Sequence, residues 1–240
     1  MLRVAVLSAL PALALAACTL VVDTSGLSGG DVVDAAAAPD VGGEDVRAEI
    51  DAAESGAGDV AVVDAGIGCQ GAVACERVVF VTRATFRTSD FGSINGADAL
   101  CTAIAAAATA LPRVKDHRFK AWLGDAMQAP AQRLVHGTRS YVRADGTAVL
   151  AADWTAFASA AHVLDFDVDE GGVDVEPMAS VWTASTPTGT AATASCASWT
   201  STTAAQTATV GLAATTTGTW SDSAAPLACD QVAHLYCVEE

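Results

Sequence analysis

The sequence predicts an α+β domain, two short helices around antiparallel strands with long loops, behind a disordered amino-terminal tether. Three observations predict it. Trp182, Trp199 and Trp220 fall among Cys196, Cys229 and Cys237 between residues 181 and 237, so the side chains costliest to leave in water gather there. Two stretches carry helix signals, against several short β-branched or aromatic runs. Residues 19–68 contain no aromatic residue at all.

In chain order, residues 1–17 read as a secretory signal: Arg3, an apolar run from Val4 to Ala17, and small residues before a cut site, too short for a permanent membrane span. Leu15-Ala16-Ala17-Cys18 resembles the bacterial lipobox, which implies acylation of Cys18. Two or more acyl chains anchor stably where one is marginal. Thr19 and Leu20 follow with no aspartate at the second position, which by resemblance to the bacterial sorting rule favours the outer membrane. Residues 18–68 form the lipidated cysteine and an acidic linker, with eleven acids against Arg47, a net −10. One-signed charge without aromatics describes a self-repelling, disordered chain.

Residues 69–240 have the length of one compact domain. Ten bases against seventeen acids give it −7, and a chain at −16 overall lacks the positive surface that nucleic acid requires. Six cysteines follow Cys18, an even set in an oxidising compartment, so three disulfides are expected from fifteen pairings. Cys69 and Cys75 are near enough in sequence to pair locally.

The V-V-F-V-T run from Val78 to Thr82 is a buried strand by its β-branched content. A turn from Asp90 to Gly96 feeds a helix from about Ala97 to Thr109, with Leu100, Cys101 and Ile104 on one stripe. Phe119–Leu123 is a second strand, Tyr141–Val149 a hairpin turning at Ala144-Asp145-Gly146, and Asp153 caps a short helix carrying Trp154 and Phe157.

The succession G-A-D-A-L-C (96–101), F-K-A-W-L-G-D (119–125), Y-V-R-A-D-G-T (141–147), D-W-T-A-F (153–157), V-W-T-A-S (181–185), C-A-S-W-T (196–200) and L-Y-C-V-E (235–239) resembles the endostatin-like domain. That is a C-type-lectin-like module, also found in bacterial surface lipoproteins. The resemblance covers nearly all of residues 77–240. It implies nested disulfides, Cys101 with Cys237 and Cys196 with Cys229, worth roughly 5 and 4 kcal/mol on the loop-entropy model.

The sharpest local pattern is D-F-D-V-D-E-G-G-V-D-V-E, residues 165–176. Asp165, Asp167, Asp169 and Glu176 stand at positions one, three, five and twelve of a calcium-loop spacing, but Glu170 replaces the turn glycine and no helices flank it. The alternative is a hairpin with Phe166, Val168, Val173 and Val175 facing the core and the aspartates outward around Glu170-Gly171-Gly172. Calcium is the one cofactor this spacing offers. The lectin branch's sugar-binding loop does not carry over, since Glu176-Pro177-Met178 lacks its amide ligand.

Arg113, Lys115, Arg118 and Lys120 cluster around His117. Endostatin binds sulfated glycans through arginines, so the resemblance makes this cluster the place to look for an anionic ligand, although it also reads as a solvated loop. His117, His136, His162 and His234 are scattered without zinc-ligand spacing, and no nucleophile elbow, H-E-x-x-H or phosphate loop occurs. The expected function is therefore that of a lipid-anchored outer-membrane protein, surface-exposed or periplasm-facing, displaying a non-catalytic binding or adhesion domain. Its expected partners are the membrane, through the acyl chains, and an extracellular glycan or protein. The rivals are an exported enzyme on a lectin-like scaffold and a calcium- or glycan-binding lectin-like module.

Overall fold

A computed structural model describes residues 68–240; the signal segment, Cys18 and the acidic tether lie outside the described residues. The described part is mixed α+β, built around the strand β9, His234–Glu239. On one edge β9 pairs antiparallel with β1, Arg77–Val81. Two short strands share its other edge: β5, Ser180–Trp182, runs parallel beside His234 and Leu235, and β2, Phe119–Ala121, runs antiparallel beside Cys237 to Glu239. The sheet continues outward from β1 through β3, Tyr141–Arg143, and β4, Val149–Ala151, and from β5 through β7, Val210–Leu212. A two-stranded sheet joins β6, Thr207–Ala208, to β8, Leu227–Ala228.

All five residues of β1 are buried, because both faces of the sheet are covered. The period-two alternation of the strand sorts its side chains into two cores. Val78 and Phe80 join one with Trp182, Trp199 and the four cysteines of the nested bridges. Val79 and Val81 join the other with Trp122, Tyr141, Phe157, Phe166, Trp220 and Tyr236. The tryptophans and cysteines of residues 181–237 are thus divided between two cores. The aromatic core draws most of its rings from outside that stretch.

Among the described residues there are three disulfides: Cys69–Cys75, Cys101–Cys237 and Cys196–Cys229. The helix expected from about Ala97 starts earlier, as α2, Ile94–Ala105, because the Ser93 hydroxyl accepts the Gly96 amide at 3.1 Å. The expected turn before it holds α1, Thr88–Phe91, and Pro130–Arg133 forms α3, single turns too short for periodicity to reveal. Asp153 caps α4, Trp154–Phe157, through the Ala156 amide at 2.9 Å.

The C-A-S-W stretch is a left-handed turn: φ is 50, 52, 54 and 70° at Cys196, Ala197, Ser198 and Trp199. L-residues pay roughly 1–2 kcal/mol each for that conformation. Its surroundings hold it, through the Cys196–Cys229 bridge and the Trp199 indole N–H donated to the Gly124 carbonyl at 3.0 Å. Close approach also shapes β7, where a Cβ on Gly211 would lie 1.7 Å from the Trp220 carbonyl oxygen, so no other residue fits.

Candidate functional site

The acidic segment is a hairpin, with Val168 bridged to Asp174 and the Val175 amide donated to the Asp167 carbonyl at 2.7 Å. Two expectations about its faces are corrected. Val173 is exposed, and Asp169 is 2 % exposed. Asp169 turns inward because its carboxylate organises the bend. One oxygen accepts the amides of Gly171 and Val173 at 2.8 and 2.9 Å, and the other faces Arg83 Nε at 2.5 Å. Gly172 supplies the left-handed residue of the bend, φ 81°. Burial pushes the Asp169 carboxyl up, but Arg83 and the two amides outweigh it and hold the carboxyl below its ordinary range.

Asp167 is held differently. Burial raises its carboxyl above the ordinary range, Asp165 and Asp174 add repulsion, and Arg143 Nη1, at 3.1 Å, opposes both. Arg143 also pairs with Asp145 at 2.8 Å. Asp165, Asp167, Asp169 and Glu176 therefore do not form a cation cage here: arginines hold two of them, and Glu176 is exposed. Among the described residues no group of three or more His, Cys, Asp or Glu side chains has metal-binding geometry.

The basic cluster is divided by its partners. Arg113 pairs with Glu76, and Lys120 pairs with Glu240 and donates to the Arg133 carbonyl at 3.0 Å. Lys115 and Arg118 are exposed. Arg118 lines a cleft of about 690 Å³ between α2 and β2, with Lys120, Thr102, Asp98 and Glu240 around it and Gln70 and Gly71 at its rim. Ala99 and Ala103 of α2 and its capping residue Ala106 add small residues to the cleft lining.

The edge of β2 in this cleft is sealed by side chains. Thr102 Oγ1 donates to the Phe119 carbonyl and accepts its amide, at 3.0 and 3.3 Å. Asp98 accepts the Ala121 amide at 2.9 Å, and Arg133 donates to the Ala121 carbonyl at 2.5 Å. Arg133 is itself clasped by both Asp98 oxygens. No main-chain edge at Phe119 or Ala121 is left for a strand to add to. With Asp98 and Lys120 already paired, the side-chain charge that the described residues leave open in this cleft is the guanidinium of Arg118.

The chain matches no protein-family profile, and no curated protein is similar to it.

The histidines serve packing and connection. His136 stacks on Trp154 with centroids 4.2 Å apart, His162 meets the Phe157 carbonyl at 2.7 Å within the aromatic core, and His234 meets the Thr82 carbonyl at 2.6 Å. His117 Nδ1 lies 3.0 Å from Glu239 Oε1. Glu239 is 3 % exposed, and its oxygens accept the amides of Cys69 and Val78 at 2.8 and 2.9 Å. Sequence reading missed Glu239, Arg83 and Arg133, because their partners are remote along the chain, and it missed the reach of Arg143 from neighbouring Asp145 to distant Asp167. The weak signal available was that the apolar run Leu235 to Val238 of β9 ends on an acid, Glu239.

Proposed function

We propose that this chain is a lipid-anchored cell-envelope protein whose endostatin-like, C-type-lectin-like domain is a non-catalytic binding module. In this reading Cys18 carries the acyl anchor in the outer membrane, the acidic linker is the spacer, and the cleft between α2 and β2 takes an acidic group of an extracellular glycan. The observation that carries the ligand assignment is Arg118, a cation without an acid on it among the described residues, at a cleft whose other side-chain charges are paired. The volume falls in the range of small-ligand sites. The net negative charge of residues 69–240 repels long polyanions, so the ligand is a short saccharide with one carboxylate or sulfate. The lectin-like reading draws on the order of the motifs, the mixed sheet closed by the last strand and the nested bridges.

Calorimetric titration with a sulfated disaccharide and its desulfated counterpart tests the assignment. Binding of the sulfated form, reduced about tenfold in Arg118→Ala as expected for losing one charge-assisted contact, supports it. Equal heats for both sugars, or binding indifferent to Arg118, removes it.

A further inference from the structure

The three disulfides stand in different surroundings. Cys101, Cys237, Cys196 and Cys229 are all 0 % exposed and sit in the apolar core. The Cys69–Cys75 bridge instead closes a short surface loop in which Gln70 to Ala74 are exposed and Cys75 is half-buried. Few residues are enclosed, so on loop entropy this bridge contributes least of the three to folding, and opening it leaves the core bridges in place.

The loop is clamped by charged side chains that have buried themselves to hold it. Arg77 is 0 % exposed and donates to the carbonyls of Ala72 and Cys75 at 2.6 and 3.2 Å, while its Nε has no partner among the described residues. Glu239 holds the Cys69 amide, and Thr138 donates its amide and hydroxyl to the Val73 carbonyl at 2.7 and 3.1 Å. A buried cation with an unused donor beside this bridge favours the reduced, thiolate-bearing form, although the Glu239 carboxylate opposes it. Gln70 and Gly71 of the same loop form the rim of the Arg118 cleft.

We propose that Cys69–Cys75 is a thiol–disulfide exchange site for a dithiol reductant, and that its redox state sets whether the loop at the cleft rim is locked to β1 and β9. A thiolate of the dithiol attacks Sγ of half-buried Cys75. The Cys69–Cys75 bond breaks, Cys69 leaves as the thiolate and takes up a proton, and a mixed disulfide joins the reductant to Cys75. The second thiol of the reductant displaces Cys75, which also ends protonated. The reductant is then an internal disulfide, and two electrons have passed to the protein. Only the consequence for the ligand rests on the binding function proposed above.

The test needs no ligand, so its failure and the failure of the glycan reading are separable. The full chain is equilibrated with increasing dithiothreitol, free thiols are alkylated, and peptides are mapped; the peptide of Cys18 is distinct and does not enter the comparison. Cys69 and Cys75 should be labelled together at a dithiothreitol concentration at least about tenfold below that which labels the other four. Hydrogen exchange at the amides of Cys69, Ala72, Val78 and Thr138 should quicken while the β9 amides stay protected. Bridges that open together, or Cys69–Cys75 opening last, would overturn the exchange site. Selective reduction with unchanged exchange at those four amides would overturn the switch.

Discussion

Replacing Asp169 and replacing Asp167 should have unlike consequences, although the two stand two places apart on one hairpin. Asp169→Asn leaves Arg83 facing an amide and weakens the buried acceptor of the Gly171 and Val173 amides, at a cost of about 1–3 kcal/mol. Asp167→Asn removes a carboxylate crowded by Asp165 and Asp174, so stability near neutral pH should be unchanged or slightly higher. Urea melts decide both. The pH dependence follows from the directions of the shifts. Asp169, held low when folded, contributes stability above the unfolded carboxylate range that is lost as pH falls through its folded value; Asp167, held high, makes the opposite contribution. His162 is kept below the ordinary histidine range by burial, with the Phe157 hydrogen bond opposing. The unfolded chain therefore takes up that proton first, and stability falls as pH drops below about 6.5. His162→Phe should lose about 1 kcal/mol near neutral pH with its hydrogen bond, and its melting temperature should fall less on going to about pH 5. An equal fall in both proteins would refute the histidine's part. At exposed Ala197, φ 52°, glycine relieves the left-handed strain, so Ala197→Gly should stabilise by about 1 kcal/mol in the same melts.

The element that most depends on its neighbours is β2, three residues whose outer edge is closed by Asp98, Thr102 and Arg133. Asp98→Ala strands a guanidinium that is 7 % exposed and an amide of the strand, and should cost about 3 kcal/mol. Thr102→Val should cost about 1–2 kcal/mol. Light scattering of either variant should show more self-association, because an opened strand edge templates pairing. The strands of this region were legible in the sequence because Val78 to Val81 is an apolar run buried on both faces, and Phe119, Ala121, Trp122 and Leu123 are apolar around the single charge of Lys120. Helix α2 was legible from its alanines, but of the stripe expected at Leu100, Cys101 and Ile104 only Cys101 is fully buried, and Ile94, Ala97 and Ala105 complete the inward face. The single-turn helices α1 and α3, the left-handed turn at Cys196 and the division into two cores were not, since four residues carry no period and backbone handedness there is imposed by a bridge to Cys229. At the candidate site the basic cluster was legible, but only the partners, Glu76 and Glu240, distinguish Arg118 from Arg113 and Lys120.

At the scale of the molecule, both nested bridges cross the sheet's disulfide core, and Cys101–Cys237 fastens α2 to β9, which three other strands use as their template. The same strand ends in Glu239, which holds the Cys69 loop, and the next residue, Glu240, pairs with Lys120 at the cleft, so fold closure and cleft geometry meet at one strand end. Membrane attachment is a separate expectation resting on Cys18: Cys18→Ala should release the protein from carbonate-washed membranes, and retention there would contradict the anchor. The most direct test of the account is the location of binding. Amide chemical shifts of the domain, titrated with a sulfated disaccharide, should move at Gly71, Ala99, Thr102, Ala103 and Arg118 and stay fixed in the Asp165–Glu176 hairpin. Shifts confined to the hairpin, spread over the whole surface, or undiminished in Arg118→Ala would contradict a binding module centred on this cleft.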